Sequence, residues 1–470
     1  MVTIAPPPTS WDIETQVVVI GGGACGLVAG LRAQAGGAEV IVLERDPVPS
    51  GSTALSSGFI PAAGTRFQKA LGISDSPVGF AVDIQKKAAQ GAHPGITATA
   101  TETIAPALEW LADMHGLEWI VLDDFLYPGH SVHRMHAVPE KTGAALIGRL
   151  STAAETAGLD VITGVRADTL FTEDDCITGV AITRPDGTRE TIRAGATILA
   201  CNGYGGNADL VAQHIPEIAS APYFGHAGNT GDAVIWGQAL GAEIRDMTAY
   251  QGHGSVAHPH GILITWALMM EGGIQVNSQG QRFSNEHAGY SEQSVNVLAQ
   301  PGQVAWNVYD ARLHRLGMGF PDYVEANRAG AVLTGSLEEI ASRIGCERGA
   351  LASTMDQVRT CIDGKPDVFG REFRGQAPLE PPYYAVRVTG ALFHTQGGLV
   401  VDRHARVTRP DGSLIPGLYA GGGAACGVSG ARVEGYLSGN GLLTAIALGF
   451  VAGESAAAEC GARPDPSPSS

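Results

Sequence analysis

At 470 residues the chain exceeds the usual size of one hydrophobic core, and 44% hydrophobic against 16% charged residues can build two. Lys and Arg total 30 against 47 acidic residues, a formal charge of −17, which argues against nucleic acid or an anionic membrane surface as a partner. The seven cysteines are scattered, none forms a CxxC pair, and their odd count speaks against a disulfide framework, so reduced thiols and a cytoplasmic setting are expected.

The opening MVTIAPPPTSWDIET has neither a charged n-region nor an apolar h-region, so no export signal is expected. No integral membrane segment is expected either, since no apolar run attains the length of a span. The run QVVVIGGGACGLVAGLRAQAGGAEVIVLERD then reads as strand, glycine turn, helix and strand, with the helix over 24–35. Gly21, Gly23 and Gly26 form GxGxxG, and Glu44 ends the second strand. The first glycine permits the turn and the second lets backbone N–H groups reach a pyrophosphate. The third lets the helix pack on the strand, and the carboxylate accepts hydrogen bonds from a ribose. These residues predict a dinucleotide site.

Next comes SGSTALSSGFIPAAGT, slim and rich in glycine, a loop able to lie against a flat ring and a second phosphate. Residues 164–206 read as a meander of strands, with Pro185-Asp186-Gly187 as a turn. Between Gln251 and Phe393 aromatic and charged residues increase, with helical patterns over 336–344 and 350–361. The final stretch, GLYAGGGAACGVSGARVEGYLSGNGLLTAIALGFVAGESAAAE, reads as strand, glycine loop and long apolar helix. The expected fold is α/β: a Rossmann-like nucleotide-binding domain in two parts, 12–250 and 393–460. An inserted domain would occupy 251–392, and the tail 461–470 is disordered in composition. The histidines of YPGHSVHRMHAVP, His130, His133 and His136, lack zinc spacing and a nearby cysteine, so no metal site is expected.

The phrases VVVIGGGACGLVAG, SGSTALSSG, ATILACNGYGG, NTGDAVIWGQALGA, GQRFSNE, HTQGGLVVD and IPGLYAGGG occur in this order. In them the chain resembles the flavoprotein family of fumarate reductases and 3-ketosteroid dehydrogenases along nearly its whole length. The resemblance implies FAD, an α+β capping domain as the insert, and substrate trapped between cap and flavin. Members with covalent FAD carry a histidine in the slim loop; Ser52 and Thr53 stand here, so noncovalent FAD is expected. Gly21, Gly23, Ala24, Gly26, Glu44 and Arg45 would hold its ADP half. Ser52, Thr53, Ser57, Gly58, Asp232, Gly422, Gly439 and Leu442 would supply further cofactor contacts.

Fumarate reductases of this family pass a proton along an arginine, a glutamate and a second arginine. The matching positions here are Tyr290, Trp266 and Met269, so that relay is absent. Ketosteroid-type dehydrogenases carry a phenol at the place of Tyr290, and Gly435-Tyr436-Leu437-Ser438-Gly439 resembles their GYxSG. Desaturating a ketone needs a donor on the carbonyl and a base for the adjacent proton. Tyrosine, with a pKa of about 10, can serve as either, whereas arginine, above roughly 12, is a poor base. The resemblance therefore implies catalytic roles for Tyr290 and Tyr436, with Ser438 either a proton relay or a helix N-cap. His394, in HTxGG, is either a carbonyl or carboxylate partner or a satisfied core histidine. His253, Arg432 and Gly435 are candidate substrate contacts, though Arg432 could equally pair with Glu434. The expected substrate is a small cyclic ketone, best a carboxylated one such as 4-oxocyclohexanecarboxylate, with a quinone, oxygen or redox protein as electron acceptor. Three rival readings are a 3-ketosteroid dehydrogenase, a fumarate reductase-like di- or tricarboxylate oxidoreductase, and a FAD-binding scaffold or redox sensor without turnover.

Overall fold

Val17–Ile20 and Val40–Leu43 are apolar at every position, so neither strand has a face for water and both belong inside a covered sheet. In the computed structural model, which describes residues 2–373 and 375–461, they lie there. Ile13–Ile20 pairs in parallel with Val40–Leu43, Val17 opposite Val40 and Ile20 opposite Leu43. Asp160–Ile162 extends this sheet on one side and Arg189–Leu199 on the other, both parallel. The first strand starts at Ile13, ahead of its apolar run, because Ile13, Glu14 and Thr15 pair with Ile192, Arg193 and Ala194 at the sheet margin. Arg166–Glu173, Cys176–Thr183 and Arg189–Leu199 form the antiparallel meander. Leu414–Ala420, from far down the chain, lies parallel beside Arg189–Leu199 and helps complete a nine-stranded sheet.

A second sheet, of six strands, is antiparallel throughout and draws all its strands from residues 250–395. Tyr383–Thr395 is its hub, pairing with Tyr250–Ala257, Val304–Asp310 and Val332–Gly335. The helix Leu337–Ile344 begins after Ser336, whose hydroxyl accepts from the Glu339 N–H while the Glu339 carboxylate accepts from the Ser336 N–H. This layer has its own core around Ile274, Val308, Tyr309 and Val386, separate from the core of the large sheet. The fold is thus mixed α/β, a parallel-centred sheet interrupted by an α+β insert. Residues 462–470 of the tail lie outside the described residues.

Two details differ from expectation. The slim loop contains a helical turn, Gly51–Leu55. The closing helix, Asn440–Glu459, is long and apolar enough by composition to cross a membrane, contrary to the reading of its sequence. Its apolar residues are spent instead on the core. Leu443, Ile446 and Ala447 are fully buried, and the helix packs along the opening helix Ala24–Ala35. A Cβ at Gly449 would lie 2.5 Å from the Cys25 carbonyl oxygen, and one at Gly453 would overlap the Ala29 carbonyl. Backbone meets backbone along this seam, and it joins the two parts of the large sheet's layer. Gly453→Ala should therefore lower the unfolding free energy by about 1–3 kcal/mol, the usual cost of overpacking, despite alanine's better helix propensity. A lower denaturant midpoint at unchanged slope checks it.

Candidate active site

Both helices of the seam begin at one cavity of about 610 Å³, a size suited to a small molecule or cofactor. At the opening helix, Gly21 adopts φ +111°, and a side chain there would strike the Ala200 carbonyl oxygen at 2.5 Å. Gly23 is the N-cap and offers no side-chain cap, and the first turn carries no acid. The helix thus presents its positive end to the cavity, the arrangement that receives a phosphate. Glu44 accepts from the N–H of Gly22 (2.8 Å) and of Asp46 (2.9 Å), and each oxygen keeps a lone pair for a further donor. Thr53 Oγ1 accepts from the Ala24 N–H at 3.1 Å, and Ser52 Oγ accepts from Asn229 Nδ2 at 2.8 Å. These bonds tie the slim segment to the glycine turn and to the loop around Asn229.

Ala24, Arg45, Ser57, Gly58, Asp232 and Gly422 line the same cavity, as do Gly439 and Leu442 at the start of the closing helix. Gly26 does not line it. A Cβ there would overlap the Gly21 carbonyl, so this glycine serves helix–strand packing. Gly439, at φ +85°, is the N-cap of Asn440–Glu459 without a side-chain cap. Ser438 is therefore not the N-cap; it is buried and lines the cavity.

At the other end stand phenols and imidazoles. Tyr290, the first residue of Tyr290–Leu298, and Tyr436 meet with ring centroids 6.1 Å apart. Burial pushes the Tyr290 phenol up to about 12; hydrogen bonds with the hydroxyls of Ser438 and Tyr436 oppose the rise, while the Glu292 carboxylate adds to it. Burial raises Tyr436 well above its ordinary value, and the nearby Tyr290 reinforces this. His253 stacks on Tyr290 at 4.8 Å, and His394 lies edge-on to Tyr436 at 5.5 Å. The Ser255 N–H donates to His253 Nδ1 at 3.1 Å, which leaves the ring proton on Nε2. Gln396 Nε2 donates to His394 Nδ1 at 3.1 Å, while Gln396 Oε1 accepts from Ser429 Oγ at 2.7 Å, so His394 too carries its proton on Nε2. Burial lowers His253 to about 3 and His394 to about 4, the latter opposed by the Thr395 carbonyl oxygen, which lies 3.3 Å from Nδ1 and would accept from it only in the charged form. Both are neutral donors near pH 7.

Two candidate substrate residues lie elsewhere. The Arg432 side chain is 73% exposed, pairs with Glu434 at 3.2 Å and does not line the cavity. Gly435 is buried but also outside the lining; a Cβ there would overlap the Ser429 carbonyl. Their nearness to Tyr436 in sequence places them on the far side of the turn. Several lining residues escaped sequence reasoning, among them Tyr127. Tyr127, between Phe59 (6.1 Å) and Phe125 (4.5 Å), is raised well above 10 by burial and then by Tyr290. The Pro-Gly turn after it was the available signal. His136 and His130 are satisfied by neighbours, His136 by Thr65 Oγ1 (2.8 Å) and the Arg134 carbonyl (2.9 Å). No cluster of three metal-ligating side chains occurs among the described residues.

Residues 16–442 match the family model described as FAD binding domain. The chain belongs to that family. A probable fumarate reductase of Shewanella frigidimarina is 30% identical over 94% of this chain and 75% of its own length. The crystal structure of 3-ketosteroid-Δ4-(5α)-dehydrogenase from Rhodococcus jostii RHA1 superposes with a TM-score of 0.77 at 27% identity, over 96% of this chain and 98% of the other. A 4-oxocyclohex-2-ene-1-carboxylate 5-dehydrogenase of Sinomonas cyclohexanicum is 24% identical over 96% of this chain and 95% of its own length. The chain is an FAD-dependent oxidoreductase of the fumarate reductase and ketosteroid dehydrogenase flavoproteins. The site fits that cofactor: two uncapped helix starts and a buried ribose-type carboxylate open on one cavity.

The neutral imidazoles give a stability signature. Native His253 and His394 stay unprotonated below the ordinary 6.5 of an unfolded histidine, so the unfolded chain binds more protons as pH falls from 6.5 toward 4. Stability should therefore decline on acidification through that window. A His394→Gln or His253→Gln variant should show a shallower decline, measured as denaturant midpoint against pH.

Proposed function

We propose that the chain removes hydrogen across the α,β carbon–carbon bond of a cyclic ketone. The observation that carries this reading is the meeting of Tyr290 and Tyr436 in one buried cavity with neutral histidines beside them. FAD, held by the glycine turns and Glu44, supplies the hydride acceptor when bound. Tyr436, with the Nε2–H of His394, donates to the ketone oxygen and so acidifies the adjacent C–H. Tyr290 takes the α proton. Ser438 holds its phenol below the rise that burial alone would give, which suits it to ionise. The other hydrogen leaves the β carbon as hydride.

Neutral donors suit a carbonyl. A buried carboxylate would require a paired cation, and among the described residues no lysine or arginine acts on any of these phenols or imidazoles. With Arg432 on the surface, the reacting end of the substrate reads as an uncharged ring ketone, and a carboxylated cyclohexanone would keep its anionic group away from the tyrosines. The relatives that act on 3-ketosteroids and on a 4-oxocyclohexene ring favour ketone chemistry. The fumarate reductase relative favours enoate reduction, but Tyr290, Trp266 and Met269 provide no proton relay for it.

An anaerobic spectral screen of the yellow protein tests the proposal. Uncharged cyclic ketones should bleach the flavin absorbance, whereas fumarate should not reoxidise protein reduced by a dye. Tyr290→Phe and Tyr436→Phe should retain FAD and lose turnover by at least about a hundredfold. Wild-type turnover should rise with pH from neutral toward the alkaline range, since a phenol raised to about 12 ionises more as pH increases. The residual rate of Tyr290→Phe should not follow that rise. Full activity in both variants, or bleaching by no ketone, would reject the reading.

A further inference from the structure

Behind Tyr436 and Ser438 lies a buried polar chain whose members do not themselves line the cavity. Arg134 Nη1 donates to His130 Nδ1 at 3.3 Å. A guanidinium has no acceptor, so the His130 proton must sit on Nε2. That nitrogen lies 3.0 Å from the Ser438 carbonyl oxygen and donates to it. Arg134 is itself fully buried and cannot swing away. Its Nη1 donates to Asp83 at 2.6 Å and its Nε to Asp75 at 2.9 Å. Asp83 is tied further by the N–H (2.9 Å) and hydroxyl (2.7 Å) of Ser131. Phe80 lies under the guanidinium, 4.6 Å from ring centroid to Cζ, and its ring is 6.0 Å from that of His130.

The turn that His130 grips needs such a hold. Its last residue, Gly439, is left-handed, and the helix after it has no side-chain cap. On either side of the gripped carbonyl the turn abuts bulk. Leu437 leaves no room for a side chain on Gly129, and a Cβ on Gly439 would meet Pro61 at 2.5 Å.

We propose that His130 is a positioning residue. By donating to the Ser438 carbonyl it fixes the Tyr436–Gly439 turn so that the Tyr436 phenol and the Ser438 hydroxyl face Tyr290. This rests on the reading of Tyr290 and Tyr436 as the reacting phenols. The Asp75 and Asp83 carboxylates act one step further back, by orienting Arg134 and, through it, the His130 tautomer.

Two amide variants separate positioning from bulk packing. In His130→Gln the side-chain amide reaches the place of Nε2 and can still donate to Ser438. In His130→Asn it reaches only the place of Nδ1, and the carbonyl is left without its donor. His130→Asn should lower kcat about tenfold or more, the scale expected when a reacting group is slightly misplaced, with KM changed much less. His130→Gln should recover most of that loss. In a Tyr436→Phe background the Asn change should cost little more, because it acts through that residue. Equal kcat in the Gln and Asn variants, whether both normal or both poor, would overturn the proposal. So would an Asn effect that persists in full without the Tyr436 hydroxyl. Undiminished turnover in Tyr290→Phe and Tyr436→Phe would instead reject the ketone desaturase reading itself.

Discussion

A buried carboxylate, Glu286, is the constraint on which the reacting end of the cavity depends. Burial alone would raise it, but Arg282 and Arg371 outweigh that and hold it at about 2. Arg282 Nη2 donates to it at 2.7 Å and Arg371 Nη1 at 3.1 Å, while its Oε1 accepts from the Gln275 N–H at 3.1 Å. Arg371 also donates to the carbonyls of Gly273 and Met269, so one acid ties four stretches of backbone together. Removing one partner of such a buried pair commonly costs about 3–5 kcal/mol. Tyr290 starts its helix just beyond this clamp, and Lys87, from the other layer, grips the same helix start through Glu292 at 2.7 Å and the Ala288 carbonyl at 2.8 Å. The phenol's helix start is thus held by charges that do not line the cavity.

The electrostatics of the cavity divide along its length. Charged side chains that line it include Glu44, Arg45, Arg166 and Asp232, and Arg166 pairs with Asp232 at 3.6 Å. Beside the phenols the lining histidines are neutral, and burial keeps them so: histidines are pushed down and tyrosines up, while the Glu292 carboxylate, paired with Lys87, acts on Tyr290 from outside the lining. A guanidinium at position 290 would anchor an anion but hold its proton too tightly to exchange with a ketone's α carbon. Phenol in place of guanidinium therefore changes both what is bound and which way the proton moves.

The dinucleotide end was legible in sequence because its requirements are local. A turn at φ +111°, a helix without a cap and an acid at the strand end each act over a few residues, and GxGxxG with Glu44 spells them out. The phenols were legible only through resemblance, since Tyr290 and Tyr436 lie far apart in the chain and meet by tertiary packing. Arg432 misled because adjacency along a turn is not adjacency in space. Residues 432–434 are exposed or half-buried and, with the buried Gly435, lie outside the cavity lining, whereas Tyr436 and Ser438 line it. Tyr127 was hidden for the converse reason. The histidines after its Pro-Gly turn carry the more conspicuous chemistry, yet His130 and His136 are committed to backbone carbonyls and to neighbouring side chains.

The turn Tyr436–Asn440 shows why cofactor site and reacting groups cannot vary independently. Gly439 sets the start of the helix whose first residues line the cofactor side of the cavity, and Tyr436 and Ser438 precede it by one to three positions. A shift that opened the helix start would carry the phenol with it. Asn440, fully buried, donates through Nδ2 to Ser429 Oγ at 3.2 Å, which in turn donates to Gln396, the residue that orients His394. Tyr436 and His394 are therefore set by opposite ends of one hydrogen-bond chain. Cofactor-side helix, phenol and imidazole are thus linked through one turn, so a substitution at any of them bears on the others.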